Sequence, residues 1–373
     1  MDKASDTRAA ALLHHRAKGL SPSDPIALPL TSSATFHTPD LANLTHVYGR
    51  SGMPTWEAVE AQLALLEDAE TVAFPSGMAA INAALVAALG AGKTLMLPSD
   101  GYYVSRLLGS HLATYGVRIV EVPTLDMTQA DFTGVDAVLI ETPSNPGLDV
   151  LDIAVLSARA HAAGAMVIAD NTTMTPYLQR PLDLGADVVV AADTKAPAGH
   201  SDVLFGHVSS RDVAFIALVR ENRRLTGAVP GAFEAWLLHR GLETLDVRLS
   251  RMCDTAAKLA PRLAAHKSVK NLRYPGLASD PSHAIAAKQM SGFGFLVGFE
   301  LQDAETAERF LTNCPLIVQS TSFGSTHTSG ERRLRWGDKV PPGFIRLSIG
   351  CEPAETLWAA IKKSLDGTAQ GAG

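Results

Sequence analysis

Five short apolar runs organise the first half of the chain: TLMLP (94–98), VRIVEV (117–122), VDAVLIE (135–141), AMVIAD (165–170) and ADVVVAAD (186–193). Helical stretches such as DIAVLSARAHAAG separate several of them. Apolar strands that alternate with helices build βαβ units around a parallel sheet buried on both faces. A further short run, GHV (206–208), extends the set. Ahead of the strands, TWEAVEAQLALLEDAE places Trp56, Val59, Leu63 and Leu66 at helical spacing. SGMAAINAALVAALG follows as a second helix, with Gly90 as its terminating glycine.

After about residue 240 the texture changes. A long helical stretch (241–266) precedes FGFLVGFEL (293–301), a helix near 303–311, FIRLSIG (344–350) and a last helix over 353–365. Residues 1–45 are rich in Pro, Ser and Thr and read as an extended arm. The expected division is therefore an arm (1–45), a large α/β domain (46–240) with a mostly parallel central sheet, and a smaller α+β domain (241–373).

A formal net charge of −6 and the lack of any Lys/Arg block argue against a nucleic-acid or anionic-membrane partner. The longest apolar run, near 79–89, is interrupted by Asn82 and falls short of a membrane span. Cys253, Cys314 and Cys351 are far apart and show no metal-ligand spacing, so no metal site is expected. With no apolar leader core in the first twenty residues, a reducing cytoplasmic location is expected.

In open α/β sheets, ligands bind beyond the carboxyl ends of the strands. The polar residues that follow the runs therefore converge on one rim: Asp100, Tyr102 and Tyr103 after the first, Asn145 after the third, Asp170, Asn171 and Thr172 at the fourth, and Asp193, Thr194 and Lys195 after the fifth. A lysine and a carboxylate on such a rim suit pyridoxal 5′-phosphate (PLP), which forms a Schiff base with a lysine and needs an acid partner at its ring nitrogen. Ser76-Gly77-Met78, opening the second helix, offers backbone N–H groups for the phosphate. Tyr102 offers a ring to stack on. Taken singly, Asp170 reads equally as a helix cap and Lys195 as a solvated loop lysine.

The chain resembles the Cys/Met-metabolism family of PLP enzymes, which includes cystathionine γ-lyase, cystathionine β-lyase and cystathionine γ-synthase. The stretches that carry the resemblance are YGRSGMPTWEAVE (48–60), FPSGMAAI (74–81), ETPSNPGLDVLDI (141–153), ADNTTMTPYLQRPLDLGADVVV (169–190), DTKAPAGHSDVLFG (193–206), GAVPGAFEAWLLHRGLETLDVRL (227–249), YPGLASDPSH (274–283) and FIRLSIGCEP (344–353). The resemblance implies an aspartate aminotransferase-like, fold type I enzyme. It implies that Lys195 bonds to the cofactor and shuttles protons, that Asp170 pairs with the ring nitrogen, and that Asn145 approaches the ring hydroxyl. By the same resemblance Tyr102 stacks on the ring and helps move protons, and Gly77, Met78 and Thr194 hold the phosphate. Tyr48 and Arg50 would reach a neighbouring subunit's phosphate, within a homotetramer of dimers that share active sites. Arg346 would clamp the substrate carboxylate, with Ser322 and Asn145 beside it.

The implied reaction is cleavage of L-cystathionine by γ-elimination, to cysteine, 2-oxobutyrate and ammonia. β-Elimination, and γ-replacement on an acylated homoserine, are the alternatives. Several features depart from the family pattern. Ala192 stands where a phosphate-binding serine is usual, Thr321 where an acidic residue often precedes the site serine, and residues 321–337 are short. Arg332, Arg333 and His327, near that segment, are candidates to read the distal group of the substrate. His200 in GHSD is expected to shape the loop that presents Lys195.

Overall fold

Residues 137–141 show how the central sheet is built. Leu139 packs with Phe74, Leu85 and Ile168 on one face, while Val138 and Ile140 pack with Ile153 and Leu156 on the other. A strand buried on both faces has no room for a charge until it ends, so its first ionisable side chain falls at the rim.

The computed structural model describes residues 3–369. Strands β1 (Glu70–Phe74), β2 (Thr94–Pro98), β3 (Arg118–Val122), β4 (Ala137–Glu141), β5 (Met166–Asp170), β6 (Val188–Ala191) and β7 (Gly206–Ser210) form a seven-stranded sheet in the order β1-β7-β6-β5-β4-β2-β3. Strands β8 (Lys270–Arg273), β9 (Leu296–Glu300), β10 (Val318–Gln319), β11 (Ser329–Arg332) and β12 (Phe344–Ser348) form a second sheet in the order β10-β11-β12-β9-β8. The helices are α1 (Lys3–Leu13), α2 (Pro54–Glu67), α3 (Gly77–Ala88), α4 (Tyr103–Ala113), α5 (Ile153–Ala162), α6 (Thr175–Leu178), α7 (Val213–Thr226), α8 (Ala232–Glu243), α9 (Leu245–Ala264), α10 (His283–Gln289), α11 (Ala304–Asn313) and α12 (Ala354–Ala369).

In the large sheet β3, β2, β4, β5 and β6 run parallel. Strand β7 is antiparallel to β6, and β1 is antiparallel to β7. The sheet is thus mostly parallel with an antiparallel edge, within the α/β, fold type I architecture expected. Helices α3 and α7 cover one face and α5 the other. The second sheet packs Val297, Phe299, Ile345 and Leu347 against α9, α11 and α12.

Three local features differ from expectation. Strand β1 (ETVAF) lies between α2 and α3, where only helices were expected; its register with β7 makes it the sheet's edge. Residues 3–13 are helical rather than extended, and Leu12 is buried in the same core cluster as Trp56 and Leu63. The helical stretch expected over 241–266 is α9, and a further helix not expected, α8, ends just before it, the two meeting at Thr244. Arg248 explains the break: from the first turn of α9 it donates to the carbonyls of Gly241, Ala196 and Pro197, binding the helix junction to the loop that carries Lys195.

Candidate active site

The carboxyl ends of β4, β5 and β6 and the N-terminus of α3 open onto one cavity of about 330 Å³. Lys195, Asp170, Asn145, Tyr102, Gly77, Met78, Thr194, Arg346 and Ser322 all line it. Residues from seven separate stretches of sequence thus meet in one place, with the size and mixed lining of a small-ligand site.

Lys195 stands in the loop just past the end of β6, and its Nζ donates to the Ser322 Oγ at 2.7 Å. Burial, and then the Arg346 charge, pull the Lys195 amine down to about 8. A neutral amine, the form that attacks a carbonyl, is therefore accessible near neutrality. Asp170 accepts two hydrogen bonds from Thr172, from its N–H at 3.0 Å and from its hydroxyl. Burial still pushes its carboxyl above the usual range, because no cation pairs with it at ion-pair distance among the described residues. A cationic ring nitrogen is the partner this carboxyl lacks.

Helix α3 begins with Gly77, and the Ser76 hydroxyl caps it by accepting the Ala79 N–H at 3.1 Å. The N–H groups of Gly77 and Met78 belong to the first turn and have no intrahelical acceptor, which suits them to a phosphate. A Cβ at Gly77 would stand 2.5 Å from the Ala192 Cβ, so glycine is required for the helix to approach β6. Ala192 fills the place of the usual serine with a methyl, and its N–H donates to the Thr172 Oγ1 at 2.8 Å. The Thr194 hydroxyl lines the cavity but donates to the Phe205 carbonyl at 3.2 Å.

Arg346, on β12, is 2 % exposed. Its Nη1 donates to Asn145 Oδ1, and its Nη2 donates to the Ser322 carbonyl at 2.9 Å and to Glu331 Oε1 at 2.7 Å. Its Nε–H is buried with no partner. A buried, unsatisfied guanidinium N–H on the wall of a cavity calls for an anion. Tyr102 also lines the cavity, and burial, then Tyr103, raise its hydroxyl above the usual value.

Tyr48 and Arg50 are not brought to the cavity of their own chain. Tyr48 is exposed, with the Arg50 guanidinium 5.4 Å from its ring centroid. Of the distal candidates, Arg333 lines the cavity but is held by Glu331 and Asp338. Arg332 turns to Glu308, at 2.8 Å, and His327 lines an adjoining cavity beside Ser325. The His200 Nδ1 lies 2.7 Å from the Ala198 carbonyl, inside its own loop.

Sequence reasoning passed over Glu141, Glu331 and Trp336, and gave Thr172, which it placed on the rim, no role. Glu141 and Thr172 line the cavity in direct contact with Tyr102 and Asp170. Glu331 holds Arg346, and Trp336 donates its Nε1–H to Glu331 at 2.7 Å. Glu141 could have been found as the polar residue that ends its strand. The Glu331 set, in the least family-like stretch, carried no such signal.

A lysine at ion-free burial, an unpaired carboxyl, a glycine-walled helix N-terminus and an open arginine edge together define a site suited to pyridoxal phosphate and an amino acid. The family model for "Cys/Met metabolism PLP-dependent enzyme" matches residues 10–366, and the chain belongs to that family. It is 46 % identical, over 91 % of its length and 88 % of the relative's, to a protein of Streptomyces coelicolor described as "Putative cystathionine gamma-lyase". It is 37 % identical to a cystathionine beta-lyase of Lactococcus lactis subsp. cremoris, over 91 % of this chain and 94 % of that one. Among solved structures, cystathionine gamma synthase from Xanthomonas oryzae pv. oryzae superposes with a TM-score of 0.92 at 32 % identity, covering 97 % of this chain and 98 % of the other. The protein is a PLP-dependent enzyme of Cys/Met metabolism, akin to lyases and synthases alike. No helix among the described residues is long and apolar enough to cross a membrane.

Proposed function

We propose that the protein is a carbon–sulfur lyase that cleaves L-cystathionine by γ-elimination, giving cysteine, 2-oxobutyrate and ammonia. The observation that carries this reading is the pairing of a neutralisable Lys195 with an Arg346 whose Nε–H is open, on one cavity wall. The 46 % identical relative, named for this reaction, supports the choice among family activities.

When bound, pyridoxal phosphate supplies an electron sink for bonds broken at and beside the substrate α-carbon. The chain's residues do the rest. Arg346 binds the α-carboxylate, which fixes the Cα–H bond relative to Lys195 Nζ. The neutral Lys195 amine would take the Cα proton, hand it on to the electron sink and, neutral again, take a Cβ proton. The Ser322 hydroxyl, 2.7 Å from Nζ, holds the amine between transfers. Asp170 would keep the ring nitrogen protonated, and the Gly77 and Met78 N–H groups would hold the phosphate. Tyr102 would pack against the ring and, with its hydroxyl kept protonated, could donate a proton to the leaving sulfur. Water releases the ammonia and 2-oxobutyrate.

A homotetramer of dimers with shared sites is part of this reading. Tyr48 and Arg50 then complete a partner's phosphate site, and exposed Ile26, Val47 and Leu204, at 87 %, 54 % and 67 %, become covered. So are a cytoplasmic location, a boundary near residue 240 between cofactor-binding and smaller domains, and the absence of nucleic-acid or membrane partners. The keto acid released from L-cystathionine tests the function. 2-Oxobutyrate supports γ-elimination, pyruvate would replace it with β-elimination, and no keto acid from cofactor-loaded protein would favour γ-replacement.

A further inference from the structure

Glu141 and Asp170 are the last residues of neighbouring parallel strands and face each other in register. Two residues earlier in each strand, Leu139 and Ile168 pack on the α3 side of the sheet. Strand alternation therefore sends both carboxyls to that side, about 4.8 Å apart in strand spacing. Both line the active-site cavity. Neither has a Lys, Arg or His at ion-pair distance among the described residues, unlike the buried acids Glu67, Asp193 and Glu331. A second cavity, of about 10 Å³, is lined by both carboxyls with Tyr102 and Ser105; it has room for one water and no larger ion.

The Glu141 carboxyl does have backbone partners. Its Oε2 accepts the Tyr102 N–H at 2.9 Å, and the carboxyl also accepts the Asn145 N–H. These are the two residues assigned to the cofactor ring, one to its face and one to its hydroxyl. The cofactor brings one ring cation to this pair of acids, enough for one carboxylate. Two like charges side by side in a buried site do not both persist, so one carboxyl keeps its proton.

We propose that Glu141 is a positioning residue for the cofactor that works as an uncharged carboxyl, holding the Tyr102 and Asn145 backbones while Asp170 alone carries the negative charge. Burial first, and then the Asp170 charge, push Glu141 up to about 8, against the two N–H groups and the more distant Arg346. Other ionisable groups near the pair are Tyr102 on one side, and Lys195 and His207, both acting on Asp170, on the other.

The proposal rests on the pyridoxal phosphate assignment. Its test compares wild type, Glu141→Gln and Glu141→Ala, reading the affinity of cofactor-free protein for pyridoxal phosphate and the visible circular dichroism of the bound form at pH 7. Gln keeps the size and an acceptor without the charge. It should bind within about threefold of wild type and keep the dichroism band. Ala strands two buried N–H groups and should weaken binding by roughly tenfold or more, with a diminished band. Above pH 8 wild-type affinity should fall while that of Glu141→Gln holds. A Gln variant as impaired as Ala would show that the charge is needed and would overturn the proposal. So would an Ala variant that matches wild type. If Ala does not fold, the Gln variant and the pH comparison decide. Wild type that binds no pyridoxal phosphate would sink the cofactor assignment first, and the proposal with it.

Discussion

Lys195 Nζ sits 2.7 Å from the hydroxyl of Ser322, a residue held at φ +77°. A non-glycine residue in the left-handed region costs about 1–2 kcal/mol, so the serine is kept there by what surrounds it. Its carbonyl accepts from Arg346 and its hydroxyl from Lys195, joining the proposed base to the proposed carboxylate clamp. Ser322→Ala keeps the strain and loses the acceptor. Its kcat should fall by roughly twofold to tenfold, from about 0.5–1.5 kcal/mol for a hydrogen bond between neutral groups. Ser322→Gly should lose as much kcat yet unfold at higher temperature than Ser322→Ala. Equal kcat in all three proteins would remove the tether from the account.

The depressed Lys195 amine sets a pH dependence. Its value in the fold is about 8, below the 10.5 of an exposed lysine. The rate at which cofactor-free protein bonds to added pyridoxal phosphate should rise with pH through a midpoint near 8. The sign for stability follows. Between 8 and 10.5 the unfolded chain holds more protons at this group than the fold does, so the group's contribution becomes more favourable as pH rises across that window. Following uptake by absorbance from pH 6 to 10 checks the midpoint; a rate still climbing at 10 would mean an ordinary lysine.

Gly77 should tolerate no side chain. The 2.5 Å approach to the Ala192 Cβ, with the Ala192 Cα at 2.9 Å, means that Gly77→Ala must push α3 off β6. Overpacking of this kind costs about 1–3 kcal/mol. The expected results are a lower melting temperature and weaker cofactor binding, both partly restored in the double variant with Ala192→Gly. Thermal unfolding with and without cofactor measures both effects.

Arg346→Lys keeps a charge but loses the fork that serves Asn145, Ser322 and Glu331 together. KM for the amino acid should rise at least about tenfold, while the absorbance of bound cofactor stays as in wild type. Loss of the cofactor absorbance instead would place Arg346 at the cofactor rather than at the substrate.

Much of this site was legible before the fold was known. The runs ending at Asp170 and before Lys195 are apolar because they are buried on both faces, so their ends announced the rim. Glu141 was hidden by the same logic: as the last residue of VDAVLIE it read as a strand terminus, and its meaning lies in its register with Asp170. Strand β1 escaped notice because five residues between two helices leave no periodicity to read, and its place depends on pairing with β7. The Glu331–Arg333–Asp338 set compensates charges across β11 and the turn after it, a contact no local pattern encodes. Tyr48 and Arg50 carried a family signal, yet nothing within one chain draws them to the cavity.

The most direct test of the account is to load the protein with pyridoxal phosphate, reduce it with borohydride, and find the modified peptide by mass spectrometry. The account predicts one phosphopyridoxyl group per chain, on Lys195. A label on any other lysine would contradict the placement of the site, and with it the roles given to Asp170, Glu141 and Arg346.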